Sequence, residues 1–318
     1  MSTTEKFWIG IDVGGTTIKS GAVTRTGKIL NQVVADARSK DGPKAAIGQI
    51  LFTIDELFKK HDRAYCAGIG IGCPGVVGLD NDTVSYPPNF SDWRDVKLAT
   101  EIRKKLPFNV TVENDANVAA LAEAMHGAGK DCKDFLFVIW GTGVGGGIIN
   151  DHKIYRGPNG GAGEIGHLSV NFNGPLCNCG NLGCVEAYIG QRYLSQRTRE
   201  VISQNTKSLM VDMVNGDLDK IEPVIIAKAA EQGDTVAKDI LTEAGTLLGY
   251  ALASAMNVLD LNVAVIGGGI SAAPEFVYDA MKQALQSRVL KPHRPYIRIL
   301  RASLGNSAGI IGAASLLM

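Results

Sequence analysis

The chain has 318 residues, 45% of them hydrophobic and 20% charged, and its 32 basic side chains balance its 32 acidic ones. These values are typical of a globular protein long enough for one large domain or two smaller ones. The neutral balance argues against a nucleic-acid or membrane-surface partner, and the lack of a signal-like or long apolar segment predicts a cytoplasmic protein.

The first part of the chain alternates short apolar runs with glycine turns. Residues 7–13 and 18–23 predict two strands joined by a tight turn of Gly14, Gly15, Thr16 and Thr17, and residues 28–36 predict a third strand. The apolar spacing within residues 42–61 predicts a helix. Residues 64–75 then predict a buried strand that runs into a Gly/Pro loop. Residues 109–127 predict a strand followed by a helix that begins at Asn114 or Asp115 and ends at Gly127.

A second set of strands and helices begins near residue 134. Residues 134–150 form an apolar run, the glycine turn Gly141-Thr142-Gly143 and another apolar run, a weak echo of the N-terminal pattern. Residues 234–259 have the strongest helical pattern. Residues 262–271 predict a strand, the turn Gly267-Gly268-Gly269 and a helix start, and residues 296–317 predict a last strand and helix. This order predicts an α/β protein with two related halves.

The glycine turns are candidate phosphate sites. Backbone amides can converge on an anion where no Cβ blocks its approach, although each turn taken alone is equally consistent with a structural hairpin. Gly141, Gly143 and Gly146 satisfy G-x-G-x-x-G, but a dinucleotide site needs a helix after the turn, and a strand-like run follows here. The chain lacks the G-x-x-x-x-G-K-[ST] motif, so a P-loop is excluded.

Glu113, Asn114 and Asp115 lie at the junction of a predicted strand and a predicted helix. Such residues often only cap the helix. A carboxylate close to phosphate-binding turns can instead accept a proton from a substrate hydroxyl during phosphoryl transfer. Both interpretations of Asp115 remain open on the residues alone.

A cluster of cysteines follows a single histidine. His167, Cys177, Cys179 and Cys184 supply one nitrogen and three sulfurs, the ligand set of a closed structural zinc site. A redox thiol site and a disulfide are the alternatives, and a reducing compartment favours the metal. Glu164 and Glu186 flank these ligands, and carboxylates there are suited to accept hydrogen bonds from sugar hydroxyls. Asn89, on a Pro-rich loop, is a further candidate for a hydroxyl ligand.

Taken together, these motifs resemble those of the ROK family of sugar kinases over the whole chain. The matching segments are "DVGGTTIK", "CPG", "NFSDW", "ENDANVAALAE", "GTGVGGGII", "GAGEIGH", "CNCGNLGCVE" and "VIGGG". The resemblance is strongest to the ATP-dependent glucokinases of that family. It implies an actin-like (ribonuclease H-like) α/β fold whose two domains surround a central cleft and close on the substrate. We expect a small domain of residues 1–119 and 305–318 and a large domain of residues 120–304 that carries the zinc loop.

The resemblance also implies roles for individual residues. Asp115 would be the catalytic base, Asp12 would lie near the magnesium ion, and His167 would both bind zinc and contact the sugar. The implied sugar site comprises Gly75, Asn89, Asn114, Asp115, Glu164, His167 and Glu186. The implied nucleotide site comprises Asp12, Gly14, Gly15, Thr16, Thr17, Lys19, Gly141, Thr142, Gly143, Gly267, Gly268 and Gly269. The implied zinc ligands are His167, Cys177, Cys179 and Cys184.

The implied activity is phosphorylation of glucose to glucose 6-phosphate by ATP, with Mg²⁺ at the phosphates and a structural Zn²⁺. Alternatives are a kinase of the same family for N-acetylglucosamine, N-acetylmannosamine or fructose, polyphosphate as phosphoryl donor, and a sugar sensor without activity. Repressor members carry a DNA-binding domain before the first strand, and a first strand at about Phe7 leaves no room for one. The family resemblance further implies a homodimer or homotetramer.

Overall fold

The computed structural model describes residues 5–204 and 207–318 and contains both strands and helices. The strands are β1 (Phe7–Val13), β2 (Thr17–Thr24), β3 (Ile29–Asp36), β4 (Cys66–Cys73), β5 (Val76–Val77), β6 (Thr83–Ser85), β7 (Val96–Lys97), β8 (Val110–Asn114), β9 (Phe135–Trp140), β10 (Val144–Asn150), β11 (Lys153–Tyr155), β12 (Val263–Gly267) and β13 (Arg298–Arg301). The helices are α1 (Pro43–Phe58), α2 (Leu98–Arg103), α3 (Asp115–His126), α4 (Glu186–Ile189), α5 (Gln191–Ser203), α6 (Leu209–Met213), α7 (Pro223–Glu231), α8 (Thr235–Leu259), α9 (Glu275–Arg288) and α10 (Ala308–Ser315).

The chain divides into two compact units. Unit 1 comprises Met1–Lys133, Gly147–Gly163 and Ala302–Met318, and unit 2 comprises Asp134–Gly146 and Glu164–Arg301. These bounds differ from the expected ones, since unit 1 includes all of α3 and also residues 147–163. Helix α3 belongs to unit 1 because it packs against α10. The chain passes from unit 2 to unit 1 between Gly146 and Gly147, inside β10. The sequence pattern is continuous there and gives no sign of a boundary.

Unit 1 is built on a five-stranded sheet of order β3-β2-β1-β4-β8. Strands β1, β2 and β3 are antiparallel neighbours, whereas β4 runs parallel to both β1 and β8. Ile9 and Ile11 of β1 belong to the core cluster that includes residues of α1, and Trp8 packs with residues of α10. Because both faces of β1 are covered, its sequence is a continuous apolar run rather than an alternating one.

Helix α10 lies directly on this sheet. A Cβ at Gly10 or at Gly70 would overlap the backbone carbonyl oxygens of Ile310 and Ala313 respectively. Glycine at these two strand positions therefore permits the close approach of the helix backbone. A small sheet of order β5-β6-β7 lies in the same unit, and its strands of two or three residues were not predicted from the sequence.

The second five-stranded sheet has the order β11-β10-β9-β12-β13, in which β12 runs parallel to β9 and β13. The long helix α8 packs against α9, and Gly245 and Gly249 allow the contact because a Cβ there would overlap the carbonyl oxygens of Val277 and Met281. Asp234 caps the N-terminus of α8 by accepting a hydrogen bond from the amide of Ala237 (2.9 Å). In the described part of the chain, no helix is both long and apolar enough to span a bilayer.

Most elements predicted from the sequence are confirmed. The strands β1, β2, β3, β4 and β8 and the helices α1, α3 and α8 lie where the patterns place them. Strand β10 follows the turn Gly141–Gly143, so the G-x-G-x-x-G match is not the strand-turn-helix of a dinucleotide site. After Gly267 the chain enters a short 3₁₀ helix, Gly269–Ala272, rather than an α-helix.

Candidate active site and metal cluster

The first glycine turn joins β1 to β2 in unit 1. The amide of Gly14 donates to the carbonyl of Thr17 (2.9 Å), and Ser39 Oγ donates to the carbonyl of Gly15 (2.6 Å). The turn is thus held by its own backbone and by one hydroxyl, with Thr16 exposed at its tip. Such a rigid glycine turn suits the close approach of a phosphate group.

Asp12 lies at the end of β1, paired in register with Lys19 of β2. Burial raises the pKa of Asp12, and the charge of Lys19 partly opposes the rise. A Cβ at Gly309 of α10 would lie 2.6 Å from the carboxyl carbon of Asp12, so glycine there leaves room for this carboxylate. A carboxylate beside a phosphate-binding turn has the ligand chemistry that Mg²⁺ prefers.

The polar residues after β8 are held at the start of α3. Asn114 is the N-cap of α3, and its Oδ1 accepts hydrogen bonds from the amides of Ala116 (2.9 Å) and Asn117 (3.2 Å). Its Nδ2 donates to the carbonyl of Gly75 (3.1 Å). Asp115 is the first residue of α3 and is half-buried. The helix N-terminus favours a carboxylate at this position.

Asn89 lies beside the glycine turn. A Cβ added to Gly15 would be 3.3 Å from the Cβ of Asn89, so the asparagine side chain packs on this glycine. Asn89 has a φ of 67°, in the left-handed region that asparagine tolerates better than most residues. Gly75, with a φ of 90°, contacts Pro87 of the same loop so closely that a Cβ would lie 2.7 Å from the Pro87 Cα. Gly75 and Gly15 therefore contact this loop at Pro87 and at Asn89.

The buried thiol of Cys73 lies near the carboxylates of Asp12 and Asp115. Cys73, the last residue of β4, has a pKa raised well above its ordinary value by burial and by the charges of Asp115 and Asp12. Both carboxylates therefore lie near the same buried side chain. Within unit 1, the structure brings together the predicted residues Asp12, Gly14, Gly15, Gly75, Asn89, Asn114 and Asp115.

The second glycine turn, Gly141–Gly143, lies in unit 2 between β9 and β10. Gly141 donates to the carbonyl of Gly143 (3.0 Å), and the amide of Val144 donates to Glu186 Oε2 (2.8 Å). A Cβ at Gly143 would overlap that carboxylate. Glu186 therefore contacts this turn, and its Oε1 lies 3.9 Å from Cys177 Sγ.

The turn after β12 lies next to the one after β9. A Cβ at Gly141 would be 3.7 Å from the amide nitrogen of Gly269. Gly268 has a φ of 88°, and a Cβ there would overlap the backbone of Trp140. Gly267, Gly268 and Gly269 thus belong to the same part of unit 2 as Thr142.

The metal cluster predicted from the sequence forms in unit 2. One ligand atom from each of His167, Cys177, Cys179 and Cys184 lies within 4.8 Å of the others. His167 Nδ1 is 3.7 Å from Cys177 Sγ, and Cys179 Sγ is 3.6 Å from Cys184 Sγ. Tetrahedral Zn²⁺ with bonds of about 2.3 Å separates its sulfur ligands by about 3.8 Å. The four residues therefore fit a zinc ion.

The loop around this cluster is closely packed. Gly180 and Gly183 have φ of 91° and 70°, and a Cβ at Gly183 would overlap the carbonyl of Asn171. The cysteines are free thiols, which does not support the disulfide alternative. Burial raises the pKa of Cys184 to about 12, so a thiolate at this position needs a cation beside it.

The candidate sugar ligands of unit 2 adjoin the metal cluster. His167 Nε2 is 3.9 Å from Glu164 Oε2, and Cys177 Sγ is 3.9 Å from Glu186 Oε1. A Cβ at Gly166 would overlap the carbonyl of Val144, which brings the His167 segment against the start of β10. With Nδ1 directed at the cysteines, Nε2 of His167 is the atom left to meet a hydroxyl.

Sequence reasoning missed several supporting residues. Tyr193 of α5 accepts a hydrogen bond from the amide of Asn178 (3.1 Å) and packs against the metal cluster. Arg156, after β11, forms an ion pair with the buried carboxylate of Glu113. Neither is part of a repeated spacing or motif, so only the three-dimensional structure identifies them.

Comparisons with known proteins identify the family of the chain. The ROK family profile matches residues 8–318. Glucokinase from Thermotoga maritima is 34% identical over 309 residues, which is 97% of this chain and 96% of the relative. The crystal structure of a ROK family glucokinase from Streptomyces griseus in complex with glucose and AMPPNP superposes with a TM-score of 0.83 at 34% identity and covers 98% of both chains.

A ROK hexokinase from Thermus thermophilus superposes with a TM-score of 0.81 at 28% identity and covers 97% of this chain and 96% of its own. The predicted fold class, an actin-like two-domain α/β fold, is thereby confirmed. With a family profile over nearly its whole length and relatives of this identity and coverage, the chain belongs to the ROK family.

Proposed function

We propose that the protein transfers the γ-phosphoryl group of ATP to the 6-hydroxyl of glucose. The observation that carries the proposal is the position of Asp115 at the N-terminus of α3, beside Asn114 and in the same unit as the Gly14–Thr17 turn. Phosphoryl transfer to a hydroxyl needs a proton acceptor and a phosphate site, and Asp115 and this turn are the candidates for them in unit 1. The T. maritima and S. griseus glucokinases support glucose as the acceptor.

In this reaction Asp115 accepts the proton of the 6-hydroxyl while that oxygen attacks the γ-phosphorus and ADP leaves. We propose as sugar ligands the side chains of Asn89 and Asn114, the backbone of Gly75, and the side chains of Glu164, His167 and Glu186. Carboxylate and amide oxygens accept hydrogen bonds from hydroxyls, which fixes the sugar so that one hydroxyl faces the base.

The nucleotide would be bound by the glycine turns. We propose the amides of residues 14–17, Lys19 and the amides of residues 141–143 as phosphate ligands, and residues 267–269 as neighbours of the adenosine. Asp12 would hold Mg²⁺, which neutralises charge on the phosphates when bound. These roles rest on the geometry of each turn and on the AMPPNP complex of the S. griseus relative.

A structural Zn²⁺ held by His167, Cys177, Cys179 and Cys184 is part of this proposal. Its chemistry is structural, since four protein ligands leave no open position for catalysis. The ion would fix the loop that presents Glu186 and the ring orientation of His167. We also propose a cytoplasmic location, with which the free cysteine side chains of the cluster are consistent. A homodimer or homotetramer stays a prediction.

The test is a steady-state assay of ADP formation with ATP and Mg²⁺ on zinc-replete protein. Glucose, N-acetylglucosamine, N-acetylmannosamine, mannose and fructose are compared, and polyphosphate replaces ATP in a parallel series. We expect the highest kcat/KM with glucose and ATP. A higher value for another sugar would correct the substrate, and no sugar-dependent ADP with any of them would favour a sugar sensor.

A further inference from the structure

The loop that follows β11 places a guanidinium group against the end of β8. Arg156 Nη2 donates to Glu113 Oε2 in an ion pair whose side chains are 19% and 2% exposed. Both residues belong to unit 1. Glu113 is the residue directly before Asn114 and Asp115, so this pair is one residue away from the proposed sugar ligand and two from the proposed base.

The carboxylate of Glu113 is fully engaged by residues of the strand–helix junction. Its Oε1 accepts hydrogen bonds from the backbone amide of Asn114 (2.8 Å) and from Nδ2 of the buried Asn117 (3.0 Å). The first bond orients the peptide that enters the N-cap, and the second joins the same carboxylate to the first turn of α3. Arg156 is the cationic partner that holds this carboxylate in place.

The same arginine also secures the strand one residue earlier. Arg156 Nη1 donates to Asn81 Oδ1 (3.0 Å). Asn81 and Val112 form two hydrogen bonds: Asn81 Nδ2 donates to the Val112 carbonyl (3.1 Å), and the Val112 amide donates to the Asn81 carbonyl (2.9 Å). The guanidinium of Arg156 therefore contacts both Glu113 and Asn81, the two residues whose side chains hold the end of β8. Its planar geometry, with two donor nitrogens, suits this double contact.

Arg156 also fixes the loop to which it belongs. Its carbonyl accepts the amide of Ala162 (3.0 Å), which closes residues 156–162 into a compact loop. A Cβ at Gly160 would lie 2.6 Å from the carbonyl oxygen of Val77, so this loop packs on β5. The loop ends two residues before Glu164. One ion pair thus supports the base-bearing junction and the segment that leads to a proposed sugar ligand.

A purely structural role does not explain this arrangement well. Replacing a buried ion pair by apolar residues of similar volume is often neutral or stabilising, so such a pair is weak support for stability. Here the hydrogen bonds of the carboxylate go to Asn114, Asn117 and Arg156, all around the junction that presents Asp115. We therefore expect this ion pair to orient the strand–helix junction more than to stabilise the fold.

We propose that Arg156 and Glu113 form a positioning pair for phosphoryl transfer. The pair holds the peptide of Asn114 and the first turn of α3, and so fixes the direction in which Asp115 faces the sugar hydroxyl. This inference rests on the function proposed above. Arg156 and Glu113 act through Asn114 and Asp115.

The test compares Arg156→Met, Arg156→Lys and Glu113→Gln with the control Arg103→Met. Arg103 is an arginine of the same unit that donates to the carbonyl of Val110 (2.9 Å) and to Asp82 (3.2 Å), at the other end of β8. We expect Arg156→Met and Glu113→Gln to lower kcat about 10- to 100-fold, because small misplacements of a base have effects of this size. ATP affinity by calorimetry should stay within about twofold of wild type.

Arg156→Lys should recover part of the loss, since it keeps the charge but not the planar fork. Arg103→Met should leave kcat within about twofold at a temperature where every variant is folded. Equal kcat values for Arg156→Met and Arg103→Met would overturn the proposal, because the pair would then have only a structural role.

Amide hydrogen exchange of residues 112–118 separates this inference from the proposed function. We expect exchange there to rise about tenfold in Arg156→Met and to stay at the wild-type rate in Arg103→Met. Unchanged exchange in Arg156→Met would overturn the positioning role whatever the activity. Wild-type protein without sugar-dependent ADP formation would instead overturn the proposed function, and the exchange result would still decide whether the pair orders the junction.

Discussion

Replacing Glu123 with alanine removes a fully buried carboxylate from the interior of α3. Its Oε2 accepts the amide of Ala128 (2.7 Å), and its Oε1 accepts the amides of Ser303 (3.0 Å) and Leu304 (2.9 Å). Ser303 Oγ is a fourth donor (3.3 Å). The carboxylate therefore fastens the end of α3 to the segment that begins at Ala302.

The size of the effect follows from these donors. Ala128 and Leu304 are half-buried and Ser303 is exposed, so water can reach part of these donors once the carboxylate is removed. A fully buried donor without an acceptor costs about 1–3 kcal/mol, and we therefore take the lower limit for each donor here. Four donors at the lower limit predict a loss of about 4 kcal/mol in the free energy of unfolding of unit 1. At about 2–4 °C per kcal/mol, this corresponds to a fall of about 10 °C in Tm.

The assay is urea unfolding followed by tryptophan fluorescence, together with a thermal melt. Trp8 is buried against α10 in unit 1 and reports on its unfolding. The matched control is Glu101→Ala, which removes a carboxylate that is 43% exposed and paired with Lys104. Glu101→Ala should change the free energy of unfolding by less than about 1 kcal/mol. Equal unfolding midpoints for Glu123→Ala and Glu101→Ala would refute the reasoning.

Three further changes test other parts of the molecule. Gly183→Ala should lower the zinc content per chain in elemental analysis, because a Cβ at this position overlaps the carbonyl of Asn171. The control Gly161→Ala should keep the wild-type zinc content, because a Cβ there meets nothing within 4 Å. Equal zinc contents in the two variants would contradict the loop geometry. Asp234→Ala should destabilise the protein by about 1–2 kcal/mol, because it removes the N-cap of α8. Burial would raise the pKa of Asp234, but the hydrogen bonds that its carboxylate accepts outweigh burial and lower the pKa. The difference in free energy of unfolding between wild type and Asp234→Ala, measured with urea, should therefore be full above about pH 4 and should shrink at lower pH. A difference that grows in acid would contradict this sign. Asp115→Ala should lower kcat at least about 100-fold with ATP binding by calorimetry unchanged, and near-normal turnover would exclude it as the base.

The elements with long or continuous patterns could be predicted from the sequence. The apolar run of β1 with its glycine turn, and the helical spacing of α3 and α8, each fix an element type through local composition alone. The metal cluster was also predictable, since short cysteine spacings leave few other uses for those side chains.

Other features depend on contacts between distant residues and have no local signal. The strands β5, β6 and β7 are too short for a pattern. Arg156 meets Glu113 across 43 positions of sequence, and the contact of Glu186 with Val144 spans 42. The unit boundary within β10 was equally hidden, because an unbroken strand continues through it.

We propose above that the protein transfers the γ-phosphoryl group of ATP to the 6-hydroxyl of glucose. The most direct measurement is ³¹P nuclear magnetic resonance of a reaction of the zinc-replete protein with glucose, ATP and Mg²⁺. The account predicts one glucose 6-phosphate for each ADP, and neither product above background with Asp115→Ala. Formation of ADP with inorganic phosphate and no sugar phosphate, or of glucose 6-phosphate at the wild-type rate by Asp115→Ala, would contradict it.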